Sequence, residues 1–233
     1  MYTFIGIMLP LIGTTMGSSM VYLLKDKLDQ NIERLLLGIA SGVMISASLF
    51  SLILPSLEMG GWISSVVGFL LGILFLDYLN KRIEKSSNFK LTLAVTLHNI
   101  PEGMAVGVIF AGVISGSISL VSAISLSIGI SLQNFPEGAI ISMPLKSSMS
   151  KNKAFTIGTL SGVVEPIFAL ITILLTSFIV PVLPYLLSFA AGSMFYVVID
   201  ELIPNSSLND KSKITVIAFS IGFIIMMVLD NLL

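Results

Sequence analysis

The chain has 233 residues, 55% of them hydrophobic and 11% charged, with a mean hydropathy of +1.01. About a quarter of the residues of a soluble domain are charged, so this composition excludes a water-soluble fold and describes an integral membrane protein. Twelve basic residues against thirteen acidic ones offer no cationic surface to nucleic acid, and the lack of cysteine excludes disulfides and thiolate metal sites, leaving oxygen and imidazole donors.

A crossing helix takes about 20 apolar residues, so this length accommodates about eight and no soluble domain; residues 1–233 are expected to form a single transmembrane domain. Breaks at Gly, Pro, Ser and charge clusters place the spans near 3–24, 34–54, 61–80, 91–112, 117–142, 154–179, 183–202 and 213–231. Barrel strands are about 10 residues long and alternate; these runs are longer and do not, so the expected fold is all-α and polytopic. The first run has no basic residue ahead of Met1-Tyr2-Thr3-Phe4 and reads as a retained span rather than a cleaved signal. Span two carries Gly38, Ser41, Gly42, Ser46 and Ser48, small residues that suit a close-packed sliding surface. Asp77 and Asp230, at the ends of spans three and eight, read as solvated, and Glu58 lies in a connection. The 12 methionines scatter without a paired pattern and read as packing.

Every basic residue falls on one set of connections. Lys25, Lys27 and Arg34 flank the first, Lys81, Arg82, Lys85 and Lys90 the third, Lys146, Lys151 and Lys153 the fifth, and Lys211 and Lys213 the seventh. Lys and Arg collect on the cytoplasmic side of a membrane, so odd connections are cytoplasmic and both termini outside.

Two copies of a polar hexapeptide interrupt spans four and five: His98-Asn99-Ile100-Pro101-Glu102-Gly103 and Gln133-Asn134-Phe135-Pro136-Glu137-Gly138. They lie 35 positions apart in consecutive, oppositely directed spans, which implies a pseudo-two-fold axis in the membrane plane. An ionisable side chain at mid-bilayer costs about 2.5 to 3.5 kcal/mol on insertion scales and marks a functional site by default. Residues four apart share a helix face, so His98 with Glu102 and Gln133 with Glu137 form a four-ligand cage when the two helices face each other. Pro101 and Pro136 remove a backbone donor each, leaving the carbonyls of Leu97 and Leu132 as further oxygen ligands, and Gly103 and Gly138 permit close helix approach. Span six adds Glu165, beside Pro166, as a third carboxylate. Asn99 and Asn134 read equally as interhelical hydrogen-bonders and as ligands; Asp200 and Glu201, near the cytoplasmic end of span seven, read equally as a solvated end and as a release-side metal station.

At these residues the chain resembles the ZIP (Zrt/Irt-like protein) family of divalent-metal transporters, in its bacterial GufA-like branch, over its whole length. The resemblance implies a mid-membrane two-metal site, with His98, Glu102, Gln133 and Glu137 around one ion, Asn99 and Asn134 serving a second, and Glu165 bridging them. It further implies eight helices with both ends outside, alternating access by one helix bundle moving against another, a homodimer in the cell membrane, and Asp200 and Glu201 as a release-side pair. Many relatives have histidine at the position of Gln133, some have an acid at that of Asn134, and many have a histidine-rich stretch that Asn80 to Lys90 lacks.

The expected function is therefore uptake of a divalent transition metal, zinc first and then iron, manganese or cadmium, with the lipid bilayer as the surroundings. The metal is substrate rather than cofactor, and no enzyme activity is expected. A membrane-embedded metal hydrolase uses similar ligands with an open position for water, but the His-Glu-x-x-His pattern is absent and one histidine is few; a passive cation channel is the remaining alternative. Because the chain has no native cysteine, single cysteines test its sidedness directly. Glu58→Cys is expected to react with an impermeant maleimide on intact cells, and Ser148→Cys only after permeabilisation; the reverse pattern overturns the orientation.

Overall fold

The computed structural model describes residues 2–23, 29–82, 87–116, 119–146, 148–175, 178, 180–207 and 213–232, and all the regular structure among them is helical. The chain runs through α1 (Tyr2–Ser18), the single turn α2 (Met20–Leu23) and α3 (Gln30–Ala47), whose first turn is capped by the Asp29 carboxylate accepting the Asn31 amide at 2.8 Å. A π-helical turn, Ser48–Ile53, leads into α4 (Leu54–Arg82), which breaks at Gly61, φ 73°. That backbone conformation is open to glycine without a Cβ penalty, and it divides a helical stretch of 53 residues, Gln30–Arg82, that is too long for one crossing. Next come α5 (Ser87–Ser115) and α6 (Leu120–Leu145), then α7 (Lys151–Gly162) and α8 (Val164–Leu174), separated only at Val163. The chain closes with α9 (Leu183–Val197), a second π-helical turn (Val198–Leu202), α10 (Ile203–Ser207) and α11 (Ile214–Leu232).

Helix covers every stretch where a span was expected, and five helical stretches of the described residues are long and apolar enough to cross a membrane: Tyr2–Leu23, Gln30–Arg82, Lys151–Leu174, Leu183–Asp200 and Ile214–Asn231. The protein is a polytopic helical membrane protein. α6 is long enough but is not among the five, because Gln133, Asn134 and Glu137 lower its apolarity. Large apolar side chains such as Trp62, Val66, Leu70 and Leu74 on α4 and Val216, Ile217, Ile221 and Ile224 on α11 are exposed, as a surface solvated by lipid requires.

The helices pack most extensively as four pairs: α1 on α6, α5 on α8, α3 on α11 and α4 on α9. Without a hydrophobic driving force between helices in lipid, close backbone approach supplies the dispersion contacts, and glycines line each seam. Gly13 and Gly17 seat α1 on the backbone of Ser131 and Phe135, Gly107 seats α5 on Ala169, Gly42 seats α3 on Phe219, and Gly72 seats α4 on Phe189. The first two pairs join with α7 in one bundle, cored by Ile7, Val106, Phe110, Ile130 and Ala169. The other two form a second bundle, cored by Leu37, Met44, Leu76, Leu187 and Met194, against which Ala105 and Ile140 of the first bundle rest.

The second bundle repeats its own sequence at a spacing of 150 positions. Ala40, Gly42, Met44 and Leu52 correspond to Ala190, Gly192, Met194 and Leu202, and Phe69, Gly72 and Asn80 to Phe219, Gly222 and Asp230. The shift carries α3 onto α9 and α4 onto α11, hence one packed pair onto the other, and both α3 and α9 run into a π-helical turn. Asp230 departs from its expected solvated state: it is half-buried, and Ser51 of the first π turn donates to its Oδ1 at 2.6 Å.

Gly42 illustrates how the seams constrain sequence. A Cβ there meets Phe223 N at 2.7 Å and the Phe219 carbonyl carbon at 2.9 Å, both backbone atoms. Gly42→Val is expected to destabilise the protein by about 1 to 3 kcal/mol through overpacking, measured as a lowered thermal midpoint of the detergent-solubilised protein by fluorescence-detected gel filtration.

Candidate metal centre

Helices α5 and α6 continue through the two polar hexapeptides, so residues spaced for one face remain on it. On α6, Gln133, Asn134 and Glu137 are all buried, as are Asn99 and Glu102 on α5. The break at Val163 starts α8 at Val164 and so puts Glu165, 1% exposed, in its first turn, where the positive end of the helix dipole favours a carboxylate. The motif glycines bring the helices together: Gly103 lies on the backbone of Glu165, and Gly138 on that of Thr14 and Ser18.

Amides link these carboxylates. Gln133 Nε2 donates to Glu102 Oε1, and Asn134 Nδ2 donates to Glu165 Oε2 at 2.7 Å and, more weakly, to the carbonyl of Pro10 at 3.4 Å. Thr14 Oγ1 reaches the other oxygen of Glu165 at 3.5 Å, and Asn99 Nδ2 donates to the carbonyl of Ser161 at 3.2 Å. Glu102, Glu137 and Glu165 lie within electrostatic reach of one another. The stretches 2–23, 91–145 and 154–174 of the surrounding helices contain no lysine or arginine; Lys90 of α5 and Lys151 and Lys153 of α7 lie in the first turns of those helices. Among the described residues, Asn99 Oδ1, Glu102 Oε2, Gln133 Oε1 and Asn134 Oδ1 are buried and accept no hydrogen bond.

Buried acceptors without donors, beside like charges without cations, are the conditions under which a bound cation is stabilising. Among the described residues no three acidic or imidazole side chains come close enough to hold a metal by themselves; the fitting donor set is the mixed one of carboxylate and amide oxygens.

Of the expected site, Asn99, Glu102, Gln133, Asn134, Glu137 and Glu165 therefore share one bundle. His98 belongs to α5 and Glu201 to the second π turn, but their side chains lie outside those described. Asp200 sits apart on the second bundle, exposed, and accepts a hydrogen bond from Asn80 Nδ2 at 3.0 Å. Thr14, Pro10 and Ser161 escaped sequence reading. No sequence signal sets them apart, since Pro10 and Thr14, four apart in an apolar helix, do not repeat the motif's spacing.

These features define a polytopic helical membrane protein that buries a carboxylate and amide cluster suited to a cation. The family model described as ZIP Zinc transporter matches residues 82–230, and the chain belongs to this family. It is 31% identical over 245 residues to the zinc transporter GufA of Myxococcus xanthus, covering 94% of this chain and 95% of that protein. It is 30% identical over 268 residues to the zinc transporter ZIPB of Bordetella bronchiseptica, covering 95% and 78%. Against the zinc transporter ZIP11 of Homo sapiens the identity is 45% over 142 residues, which is 60% of this chain and 42%, less than half, of that protein.

Thr14 is 1% exposed and wedged where a Cβ on Gly162 meets its Oγ1 at 2.7 Å. Its one hydroxyl proton is shared between the Pro10 carbonyl at 3.3 Å and Glu165 at 3.5 Å. Thr14→Val keeps the shape and removes this donor, so a loss of about 1 kcal/mol is expected, with Thr14→Ser close to the native value; equal thermal midpoints for the Val and native proteins contradict a stabilising role for the hydroxyl.

Proposed function

We propose that the protein is a divalent transition-metal transporter, with zinc as its first substrate and iron, manganese or cadmium as alternatives, that moves metal into the cytoplasm by alternating access. The observation that carries this reading is the buried cluster of three carboxylates and three amides in one bundle, with acceptor oxygens left over and no lysine or arginine in the stretches 2–23, 91–145 and 154–174 that surround it. Family membership agrees with it, and the relatives' names describe zinc transporters. His98, Glu102, Gln133 and Glu137 hold one ion in this proposal, Asn99 and Asn134 serve a second, and Glu165 bridges them. One imidazole with several oxygens accommodates zinc and its first-row neighbours alike.

The proposed topology is eight transmembrane helices in a single domain, 1–233, with inverted pseudo-two-fold symmetry and both termini outside. The exchange of packed pairs at a spacing of 150 positions supports the symmetry, and the confinement of Lys and Arg to alternate connections supports the orientation. The bundle holding the cluster moves, and the other holds it in the membrane. In support, the interhelical side-chain bonds of Asn134, Gln133, Asn99 and Thr14 run within the first bundle, and those of Ser51, Asn80 and Ser56 within the second. Where the bundles meet, Ala105 and Ile140 present apolar contact, which resists sliding less than hydrogen bonds do. Asp200 and Glu201 receive the released ion on the cytoplasmic side, and the protein works as a homodimer in the cell membrane.

Metal binding requires deprotonated ligands, so each ligand contributes to capture as well as to shielding the cargo from lipid. His98→Ala and Glu137→Ala proteins reconstituted in liposomes are expected to insert normally but to lose uptake of radioactive zinc. Undiminished uptake in both overturns the proposed site, and single-channel conductance in the native protein replaces the carrier with a channel.

A further inference from the structure

The orientations of the three buried amides are dictated by what they face. An ionised carboxylate, the form that binds a cation, and a backbone carbonyl accept hydrogen bonds and do not donate them. The group of Gln133 turned toward Glu102, the group of Asn134 turned toward Glu165 and Pro10, and the group of Asn99 turned toward Ser161 are therefore the NH2 ends. Each amide oxygen is left pointing elsewhere, in side chains that are 0% exposed, and among the described residues none of the three accepts a hydrogen bond. Gln133 and Asn134 thus satisfy acids with one end and strand an acceptor at the other.

We propose that the amides of Gln133 and Asn134 are the resident counter-groups of Glu102 and Glu165 in the metal-free protein, and that cation binding exchanges them. The arriving ion takes the carboxylate oxygens that the NH2 groups occupied, and each amide rotates to present oxygen in place of nitrogen. The inference rests on the metal-transport reading and deepens it. The amide's O and N ends are nearly equal in size, so rotation reverses the polarity of the group with little change in packing. Nothing in the exchange requires a second solute: both the hydrogen-bonded and the metal-bound arrangement are built from the same side chains.

Asn99 provides the contrast. Its NH2 is held by the carbonyl of Ser161, a backbone group that ends on no carboxylate. A cation that binds the acids leaves this bond intact, so Asn99 is a fixed acceptor while Gln133 and Asn134 are movable ones. The division also bears on selectivity. A cation has to displace two charge-assisted hydrogen bonds, which are stronger than neutral ones, so ions that bind carboxylate weakly fail to open the pairs.

The chain has only two glutamines, Gln30 and Gln133, and Gln30 is exposed at the start of α3. Nitrogen-15 placed in the glutamine side-chain amide of the full-length protein in detergent therefore gives two NH2 signals, one from the site and one internal control. Addition of zinc is expected to shift the Gln133 pair beyond its linewidth and to speed exchange of its protons with water, leaving Gln30 unmoved. In Glu102→Leu, the Gln133 signal is expected to lie away from its native metal-free position before any metal is added. Bound zinc, counted by elemental analysis after gel filtration, sorts the outcomes. Zinc bound with the Gln133 pair unmoved overturns the exchange and spares the transport site, whereas no bound zinc at all overturns the transport-site reading and the exchange with it.

Discussion

The structure is organised around three carboxylates buried among helices whose lysines, Lys90, Lys151 and Lys153, are confined to their first turns. Water is unavailable to solvate them and no fixed cation of that kind is built alongside, so the available partners are neutral: two amides, a threonine hydroxyl and the N-terminal turn of a helix. Neutral donors satisfy single lone pairs without cancelling charge, which leaves the cluster under-compensated. That residual demand is what a bound cation satisfies in the proposed function.

The glycine seams serve the same requirement from the packing side. Holding Glu165 beside Asn134, and Glu102 beside Gln133, demands that α8, α5, α6 and α1 approach almost backbone to backbone, and Gly103 and Gly138 remove the side chains that would keep them apart. A proline and a glycine flank each motif glutamate, so one hexapeptide supplies the ligand, a backbone irregularity and the clearance. In the second bundle Gly42 and Gly72 make the same backbone-to-backbone seams between long helices.

Much of this was legible in the sequence because membrane depth makes polar residues conspicuous. Glu102, Glu137 and Glu165 stood out against apolar surroundings, and the i, i+4 rule placed each motif's residues on one face before any fold was known. Helix positions followed from run length for the same reason. Two things were hidden. Thr14 and Pro10 are ordinary members of an apolar helix until α1 is laid against α6 and α8, since a hydroxyl in a span costs little and carries no flag. Asp230 was misjudged because distance from a helix end was used as a proxy for water, whereas the π turn at Ser48–Ile53 brings Ser51 onto it. The 150-position correspondence was equally obscure, because small and apolar residues substitute for one another freely and only the glycines, the methionines and the polar ends keep register.

That correspondence has a consequence for how the two mouths of the molecule differ. A body made of two matching halves treats its opposite ends alike, so any inequality between them has to be written as a departure from the match. One such departure is at the paired positions 80 and 230, where Asn80 and Asp230 differ by an NH2 group for an oxygen, nearly the same volume with a full unit of charge. At one end the acid is on the π turn, Asp200, and the amide on its neighbour; at the other the acid is on the neighbour and the π turn offers only the hydroxyl of Ser51. The two matched pairs of helices thus end in chemically different tips.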